Sequence, residues 1–268
     1  GGYGFLNAGD EAQLASTIRE LRVRFPRHRL KILTPNLDQT LALHGCQVGE
    51  APRQAFYDLD RSALYHLQTR RAKVAFIGRS LWLLAQAWLV GRGWPVIGVQ
   101  ARRATLLHDL ATAQLLVFCG GGYLTGRTLS RLWDGMFLLR MAHVLGTPAV
   151  LSGQTIGVWN SRFSRHLAKW GLETASVIAT RDADKSPEAL AELRLRGPKQ
   201  MVTCDDALYM DDADDAGALS RAFTASGFAD GAEAGSFVTF NAHYWGLDTP
   251  GARDALVEQL LKIVDAMT

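Results

Sequence analysis

Glycines and polar residues follow several apolar segments of the sequence, at positions where a strand would lead into a helix. Four segments fit this description: 4–11, 120–126, 153–157 and 180–182. Glycine lets backbone N–H groups approach a ligand closely, and a helix N-terminus favours negative charge. In a parallel sheet such segments meet beyond the carboxyl ends of the strands. We therefore expect an anion-binding site there, although each glycine cluster alone is also compatible with a tight turn.

Arg181 is the side chain in these segments best suited to hold an anion. A guanidinium is always charged and can grip a phosphate or carboxylate with two hydrogen bonds. Two structural alternatives stay open: Arg181 can pair with Asp182, which can also cap the next helix, and Asp10 can be the N-cap of the first helix. His243 follows a strand pattern, and its role is open between ligand contact and structure.

The sequence lacks the common nucleotide-binding and metal-binding motifs. Neither GxxxxGK[ST] nor GxGxxG is present, and no His and carboxylate residues cluster with ligand spacing, so no metal is expected. The three cysteines, Cys46, Cys119 and Cys204, are widely spaced. This spacing argues against a disulfide framework or a zinc finger and favours a reducing compartment.

Composition places the chain among ordinary folded proteins. It has 268 residues, of which 48% are hydrophobic and 21% charged, with a net charge of +3. Disorder, collagen-like repeats and disulfide-stapled miniproteins are excluded. Positive charge is concentrated between residues 19 and 103, which is compatible with nucleic acid, acidic lipid or a phosphorylated substrate as partner. No aromatic-interleaved binding motif accompanies it, which favours a solvated surface and argues against nucleic acid.

Segment 80–91 (SLWLLAQAWLVG) is the best candidate for contact with a membrane. It is about a dozen residues long, whereas roughly 18 apolar residues are needed to cross a bilayer. We expect a buried amphipathic helix with Leu81, Leu84, Trp88 and Leu89 on one face, in preference to a helix on a membrane surface.

Strand and helix patterns alternate along most of the chain. Helices are predicted at 11–25, 38–43, 59–71, 81–90, 105–112, 129–145, 162–170, 186–195 and 253–267. Strands are predicted at 30–34, 114–119, 148–152, 176–180, 200–204 and 236–242, and 94–99 is open between strand and loop. This order predicts an α/β fold with a doubly wound, mostly parallel sheet covered on both faces.

A glycine-rich segment, 227–235, is the best candidate for a domain linker. We therefore expect a Rossmann-like N-terminal domain over 1–230 and the start of a second Rossmann-like domain over 231–268. One strand and one helix are too little for a domain, so the second domain is expected to be incomplete. The first glycines are expected to end a strand whose beginning is missing.

Five segments together resemble the polysaccharide pyruvyltransferase family. Residues 2–12 (GYGFLNAGDEA) resemble its opening GYYGxxNxGDEA, and residues 118–124 (FCGGGYL) resemble xxGGGxLL. Residues 146–157 (GTPAVLSGQTIG) resemble GKPVxLxGQxIGP. Residues 178–186 (IATRDADKS) and 204–208 (CDDAL) resemble ITVRDxxS and xxDPAF. The resemblance covers residues 1 to about 210 in the family's order, which is more specific than any single match.

The resemblance implies a two-domain GT-B-like fold and transfer of the pyruvyl group of phosphoenolpyruvate to a saccharide acceptor, which in some members is lipid-linked. The donor is a substrate, and no further cofactor is implied. Arg181 matches the donor-binding arginine, and Asp10 matches an aspartate expected to be an acceptor-side or acid–base carboxylate. The residues expected to contact substrate are Asn7, Gly9, Gly120, Gly121, Gly122, Gln154, Asp182 and His243.

The sequence departs from the family in three places. Val158-Trp159 stands where proline is usual, and the segment between Asp10 and Gly120 is longer than expected. The family's Asp-Arg-Leu-His segment, whose arginine would bind the donor and whose histidine would be the general acid, has no counterpart before Thr268. The general acid is therefore expected beyond this residue.

Two other functions stay open from the sequence: a GT-B glycosyltransferase with a nucleotide-sugar donor, and a non-catalytic relative that keeps the cleft. A cytoplasmic location is expected, with peripheral association at the inner face of the membrane left open. The acceptor sugar and the oligomeric state cannot be inferred from the sequence.

Overall fold

Most of the predicted strands and helices are present. The structure, a computed structural model, describes residues 7–51, 70–127 and 129–209. Its helices are α1 (Ala8–Arg24), α2 (Leu37–His44), α3 (Arg70–Val90), α4 (Ala101–Thr112), α5 (Leu129–Val144), α6 (Arg162–Leu172) and α7 (Lys185–Leu193), followed by a short 3-10 helix, η1 (Asp206–Tyr209). Its strands are β1 (Lys31–Thr34), β2 (Gln47–Glu50), β3 (Leu116–Phe118), β4 (Gly121–Thr125), β5 (Ala149–Gly157), β6 (Val177–Thr180) and β7 (Lys199–Val202).

All strand pairs within these residues are parallel, which confirms the α/β class. The larger sheet has the order β3-β5-β6-β7, with β4 also paired to β5. The described strands form two sheets, whereas the sequence predicted one, because β1 and β2 pair with each other. Side chains attach this small sheet to α4: Lys31 Nζ lies 2.6 Å from Asp109 Oδ2, and Arg102 Nε lies 3.3 Å from Glu50 Oε1.

The central strand β5 is longer than its apolar pattern predicts. The prediction ended it at Ser152, but it continues to Gly157 because the unpredicted strand β4 pairs with its second half. The register runs from Gly121 opposite Gln154 to Thr125 opposite Gly157. Segments 120–126 and 153–157, predicted as loops, are therefore largely strand, and the glycine-rich composition concealed this.

Helix α5 forms the centre of the core. Its buried residues lie on nearly all sides of the helix, and it packs on α3, α4, α6 and strand β4. Gly171 in α6 allows this close packing, because a Cβ there would lie 2.6 Å from Met136 Cβ. Overlap of this kind is tolerated only where no side chain is present.

Helix α3 turns a different face to the core from the one predicted. Leu81 and Trp88, predicted to be buried, are 53% and 47% exposed, and Leu84 is partly buried. Phe76, Leu83 and Ala87 are buried instead.

The polar residue Ser80 explains the orientation of α3. It is fully buried, and its hydroxyl accepts a 3.0 Å hydrogen bond from Trp133 Nε1 of α5. Because apolar residues surround α3, hydrophobicity alone does not select a face, and packing on α5 decides it. None of the described helices has the length and hydropathy to span a bilayer.

Several predictions lie outside the described residues or need small changes. Segment 94–99 forms no regular strand, and strand β2 was not predicted. The opening glycines, the larger part of helix 59–71, linker 227–235, strand 236–242, helix 253–267 and the boundary at residue 230 all lie outside the described residues.

Candidate functional site

The carboxyl ends of three strands meet near the start of helix α1. Strand β3 leads into Gly120, β6 into Arg181, and β7 into the pair Asp205 and Asp206. These strands are parallel, so their ends lie at one edge of the sheet, where α/β proteins bind ligands. Helix α1 packs against η1, which brings the polar face of α1 to this edge.

Arg181 is held from two sides. Its Nε donates a 2.7 Å hydrogen bond to Thr155 Oγ1, and its Nη1 lies 2.5 Å from Asp205 Oδ2. The remaining nitrogen, Nη2, lies 3.7 Å from the point that a Cβ on Gly122 would occupy. Arg181 therefore pairs with Asp205 rather than with its neighbour Asp182, and its Nη2 end faces Gly122.

Asp205 connects Arg181 to helix α1. Its Oδ1 accepts hydrogen bonds from Gln13 Nε2 at 2.8 Å and from the N–H of Ala207 at 3.1 Å. Burial raises the pKa of Asp205, but the Ala207 N–H, the Gln13 amide and the charge of Arg181 outweigh it and hold the pKa below its usual range. Asp205 is therefore ionised at neutral pH and fixes the direction of Arg181.

Asp206 is the buried carboxylate of the site, with 6% of its surface exposed. Oδ2 accepts a 2.9 Å hydrogen bond from the N–H of Gly120 and a 3.3 Å bond from Thr17 Oγ1, and Oδ1 accepts a 2.8 Å bond from Ser152 Oγ. The N–H of Gly120, predicted to cradle a ligand anion, thus binds a carboxylate of the chain itself.

Two glycines make room for this carboxylate. A Cβ on Gly153 would lie 2.7 Å from Asp206 Oδ1, and a Cβ on Gly120 would lie 3.1 Å from Asp206 Oδ2. Gly153 also has a φ of +49°, which glycine adopts without strain. These glycines are needed for close approach to Asp206.

Tyr123 fills the space beside Gly121. Its hydroxyl donates a 3.0 Å hydrogen bond to the Cys119 carbonyl, and a Cβ on Gly121 would lie 2.7 Å from its ring. Burial is the main cause that raises the pKa of Tyr123, and the nearby charges of Asp10 and Asp206 add to it. Tyr123 therefore keeps its proton.

Gln154 is fully buried beneath these residues. Its Nε2 donates to the carbonyls of Ser152 at 3.1 Å and of Cys119, while its Oε1 has no hydrogen-bond partner among residues 7–51, 70–127 and 129–209. Gln13 Oε1, also without a partner in that set, lies 3.9 Å from the Cβ position of Gly121. Two buried oxygens can thus accept further hydrogen bonds.

The first turn of α1 contributes Asp10. The N-cap of this helix is Asn7, whose Oδ1 accepts a 3.2 Å hydrogen bond from the N–H of Gly9. Asp10 is therefore not the cap, as one alternative had it, but an acidic residue of the first turn. The helix dipole favours negative charge at this position.

Asp182 stabilises the start of α7. Its carboxylate accepts bonds from the Ser186 hydroxyl and from the Ser186 N–H at 2.7 Å, and Ser186 Oγ accepts a 2.9 Å bond from the Ile156 N–H. Burial raises the pKa of Asp182, but these bonds, with backbone bonds from Lys185 and Asp184, lower it overall. This agrees with the predicted alternative of Asp182 as a cap. His243 lies outside the described residues.

The prediction missed the residues that connect the segments. Gln13 and Thr17 follow Asp10 by three and seven positions, so a polar stripe on α1 was the available signal. Asp205 and Asp206 were noticed as a motif but not as site residues. Tyr123 and Thr155 gave no signal, because both lie in strands that were taken as loops.

The site has more negative than positive side chains. Arg181 pairs with Asp205, while Asp206 binds the N–H of Gly120 and Asp10 lies in the first turn of α1. No group of three or more His, Cys, Asp or Glu side chains in the described ranges could hold a metal ion. Within these ranges, the arrangement offers one oriented guanidinium, neutral hydrogen-bond acceptors and a carboxylate beside them.

Comparison with known proteins identifies a family for this chain. A family model described as polysaccharide pyruvyl transferase matches residues 7–261, nearly the whole chain. No curated protein and no solved structure matches it.

Replacing Asp206 by Ala is expected to lower the free energy of unfolding by roughly 2–4 kcal/mol, because a buried N–H and two half-buried hydroxyls lose their acceptor. Urea unfolding measures this. Asp184→Ala is the matched control, because Asp184 is exposed and its side chain makes no capping bond. Equal losses in the two variants would contradict the role given to Asp206.

Asp205→Asn is expected to flatten the acid limb of the stability curve. The folded pKa of Asp205 is lowered, so its contribution is present above the unfolded pKa of about 3.9 and is lost as pH falls through the folded value. Unfolding free energies measured from neutral pH to below about pH 4 test this. Gln13→Ala, which removes one bond to Asp205, is expected to lie between the two curves. If the unfolding free energies of wild type and Asp205→Asn fall in parallel as the pH is lowered, Asp205 does not stabilise the protein through its lowered pKa.

Proposed function

Because the chain belongs to the polysaccharide pyruvyl transferase family and is therefore a transferase, we propose that it moves the pyruvyl group of phosphoenolpyruvate onto a saccharide. The product is a pyruvate ketal across two hydroxyls of the acceptor. The observation that carries the proposal is the oriented guanidinium of Arg181 at the carboxyl edge of the sheet.

The reaction balances without an oxidant or reductant. Two acceptor oxygens form bonds to the central carbon of the donor, and the bond from that carbon to the phosphate oxygen breaks. One of the two hydroxyl protons ends on the methylene carbon, which becomes a methyl group, and the other leaves with phosphate. The protein has to bind an anion, accept protons from hydroxyls and supply one to carbon.

Arg181 is the proposed donor ligand. Thr155 and Asp205 fix its Nε and Nη1, so Nη2 is the end directed towards Gly122. Phosphoenolpyruvate carries a phosphate and a carboxylate, and either can accept a charge-assisted hydrogen bond from this end. Because Asp205 already balances the charge of Arg181, we expect further positive charge from another part of the protein when the donor binds.

Asp10 is the proposed proton acceptor for an acceptor hydroxyl. It is a carboxylate in the first turn of α1, and it lies close enough to Tyr123 to influence that phenol electrostatically. Tyr123 keeps its own proton and donates it in a hydrogen bond to the Cys119 carbonyl, so it is not the proton acceptor. General bases of this kind contribute about 10²–10⁴-fold to a rate.

The side-chain oxygens of Gln13 and Gln154, which have no hydrogen-bond partner within the described part of the chain, support binding of a polyhydroxylated acceptor. Each is buried and can accept a hydrogen bond from a hydroxyl group or from an intervening water. A GT-B-like second domain would close the other side of such a site. The cell-envelope polysaccharide and its lipid-linked precursors are the proposed acceptor class.

Arg181→Ala is expected to weaken binding of phosphoenolpyruvate by roughly 10- to 100-fold, because it removes a charge-assisted hydrogen bond. Isothermal titration of the full chain measures the dissociation constant. Arg181→Lys keeps the charge without the guanidinium fork and is expected to be intermediate.

Arg165→Ala is the matched control for this experiment, because Arg165 is an exposed arginine paired with Glu192 on neighbouring helices. Its affinity for phosphoenolpyruvate should equal that of the wild type. Binding of a nucleoside diphosphate and not of phosphoenolpyruvate would overturn the proposal in favour of a nucleotide-sugar transferase.

Asp10→Asn is expected to lower turnover at least 100-fold while leaving the affinity for phosphoenolpyruvate within about twofold, because the proposed role concerns the acceptor. Phosphate release with an acceptor saccharide measures turnover. Asp38→Asn, which changes an acidic residue in the first turn of α2, should retain full activity. Loss of donor binding in Asp10→Asn would contradict the division of roles.

A further inference from the structure

An open pocket lies at the edge of the larger sheet where the strands begin, between the ends of α6 and α7. Its volume is about 530 Å³, and the residues of the described ranges that line it are Lys169, Glu173, Arg194, Arg196 and Gly197. Glu173 precedes β6 and Gly197 precedes β7, whereas Arg181 follows the end of β6. We call it the amino-edge pocket. The proposed reaction assigns no role to its residues.

Lys169 and Gly197 build the wall of the pocket. The ammonium of Lys169 donates 2.9 Å hydrogen bonds to the carbonyls of Leu193 and Arg194, and it lies 2.9 Å from Glu173 Oε1. An ammonium has three hydrogens, so these contacts use all of them and join the end of α6 to the end of α7. Gly197 lets the chain pass close by, because a Cβ there would lie 3.0 Å from the carbonyl oxygen of Glu173.

Two arginines supply the uncompensated charge of the pocket. Arg194 and Arg196 are exposed, and within the ranges that the structure describes neither guanidinium makes an ion pair or a hydrogen bond. Glu173, the carboxylate of the described lining, pairs with Lys169, and its charge also acts on Arg140. The lining therefore holds three cations and one engaged carboxylate, and both guanidiniums are available to a ligand.

Arg194 stands at a backbone position that suits glycine. It is the C-cap of α7 and has a φ of +49°, in the left-handed region. Glycine adopts this conformation without steric cost, whereas a residue with a Cβ is strained in it. The chain thus keeps a long cationic side chain beside the pocket in spite of backbone strain, and strain of this kind is concentrated at functional sites.

The lining restricts the chemistry of a ligand. Guanidiniums bind phosphate or carboxylate groups through parallel hydrogen bonds. The described lining has no aromatic residue and no Leu, Ile, Val or Met, so it offers neither a stacking surface for a nucleobase nor an apolar surface for an acyl chain. Pockets that hold small molecules measure about 300–1,000 Å³, which is more than a lone phosphate fills. A fitting ligand therefore joins an anionic group to a larger polar group.

We propose that the amino-edge pocket binds an anionic saccharide, with Arg194 and Arg196 on its phosphate or carboxylate group. The sugar hydroxyls supply the polar part that fills the remaining volume. A sugar phosphate and a saccharide with an acidic substituent share this chemistry. The choice of a saccharide rests on the proposed function, in which the acceptor is a saccharide and the product carries a carboxylate. Binding of an anion rests on the pocket alone.

Isothermal titration of the full chain carrying Arg181→Ala tests the proposal, because this background removes the proposed donor ligand. Glucose 1-phosphate or glucuronate should bind at least tenfold more tightly than glucose, and the tighter of the two identifies the anionic group. Adding Arg194→Ala/Arg196→Ala should weaken that binding roughly tenfold or more. Arg27→Ala/Arg29→Ala is the matched control, because these two arginines are also exposed and have the same spacing in the segment after α1. It should bind like its parent.

Arg194→Gly separates ligand binding from a structural role at the end of α7. The variant should bind the anionic sugar roughly fivefold or more weakly, while the melting temperature of the unliganded protein should stay the same or rise, because glycine relieves the left-handed φ. Unchanged binding together with a lower melting temperature would assign Arg194 to the helix end and contradict the proposal.

Three results of the titration would overturn the proposal. The first is that neither anionic sugar binds more tightly than glucose. The second is that Arg194→Ala/Arg196→Ala leaves the binding unchanged. The third is that inorganic phosphate binds as tightly as glucose 1-phosphate, and glucuronate does not bind, which would assign the pocket to a lone anion.

The test also separates this inference from the proposed function. Arg194→Ala/Arg196→Ala alone should bind phosphoenolpyruvate with wild-type affinity, because both arginines lie at the opposite edge of the sheet from Arg181. Sugar binding to the pocket without any binding of phosphoenolpyruvate that depends on Arg181 would leave this inference standing and contradict the proposed function. Donor binding that depends on Arg181, without sugar binding to the pocket, would do the reverse.

Discussion

The buried carboxylate of Asp206 is the contact on which the arrangement of the site depends. It receives hydrogen bonds from the residue that follows the end of β3 by two positions, from β5 and from α1, three segments that lie far apart in the sequence. Its neighbour Asp205 binds Arg181 and Gln13. The turn that follows β7 therefore sets the positions of both Gly120 and the Arg181 guanidinium. The carboxylates of this turn thus organise the site at which we propose that the anionic donor binds.

Helices and short strands were predicted well where a segment showed only one periodicity of apolar residues, that of a helix or that of a strand. Helix α5 and strand β6 begin and end within one residue of their predicted bounds. Strand β4 and the second half of β5 were missed because glycine-rich segments follow local rules for turns, whereas their pairing depends on a partner about 30 residues away. In the site, Arg181 was identified from its type and position, but its partners Thr155 and Asp205 depend on the pairing of β5, β6 and β7, which local sequence does not encode.

Helix α3 shows a second limit of pattern analysis. An apolar stripe predicts a buried face only when the other faces are polar, and α3 has apolar residues around most of its circumference. Burial then depends on how α3 packs on α5, a contact that includes the hydrogen bond from Trp133 to Ser80 and leaves Trp82 and Trp88 at the surface. The same feature that made the prediction fail created the exposed surface beside the basic segment.

The contacts of Asp206 also have a consequence for the order in which the protein assembles. The hydrogen-bonded residues Thr17, Gly120 and Ser152 precede Asp206 by 189, 86 and 54 positions. During synthesis all three donors emerge from the ribosome well before their acceptor, and closing such long loops costs chain entropy that only the finished contact recovers. The strands and helices can form from local and neighbouring contacts as they emerge. The geometry around Arg181 is completed only when the turn after β7 arrives, so the site is a late product of folding and a folding intermediate with its helices in place would still lack it.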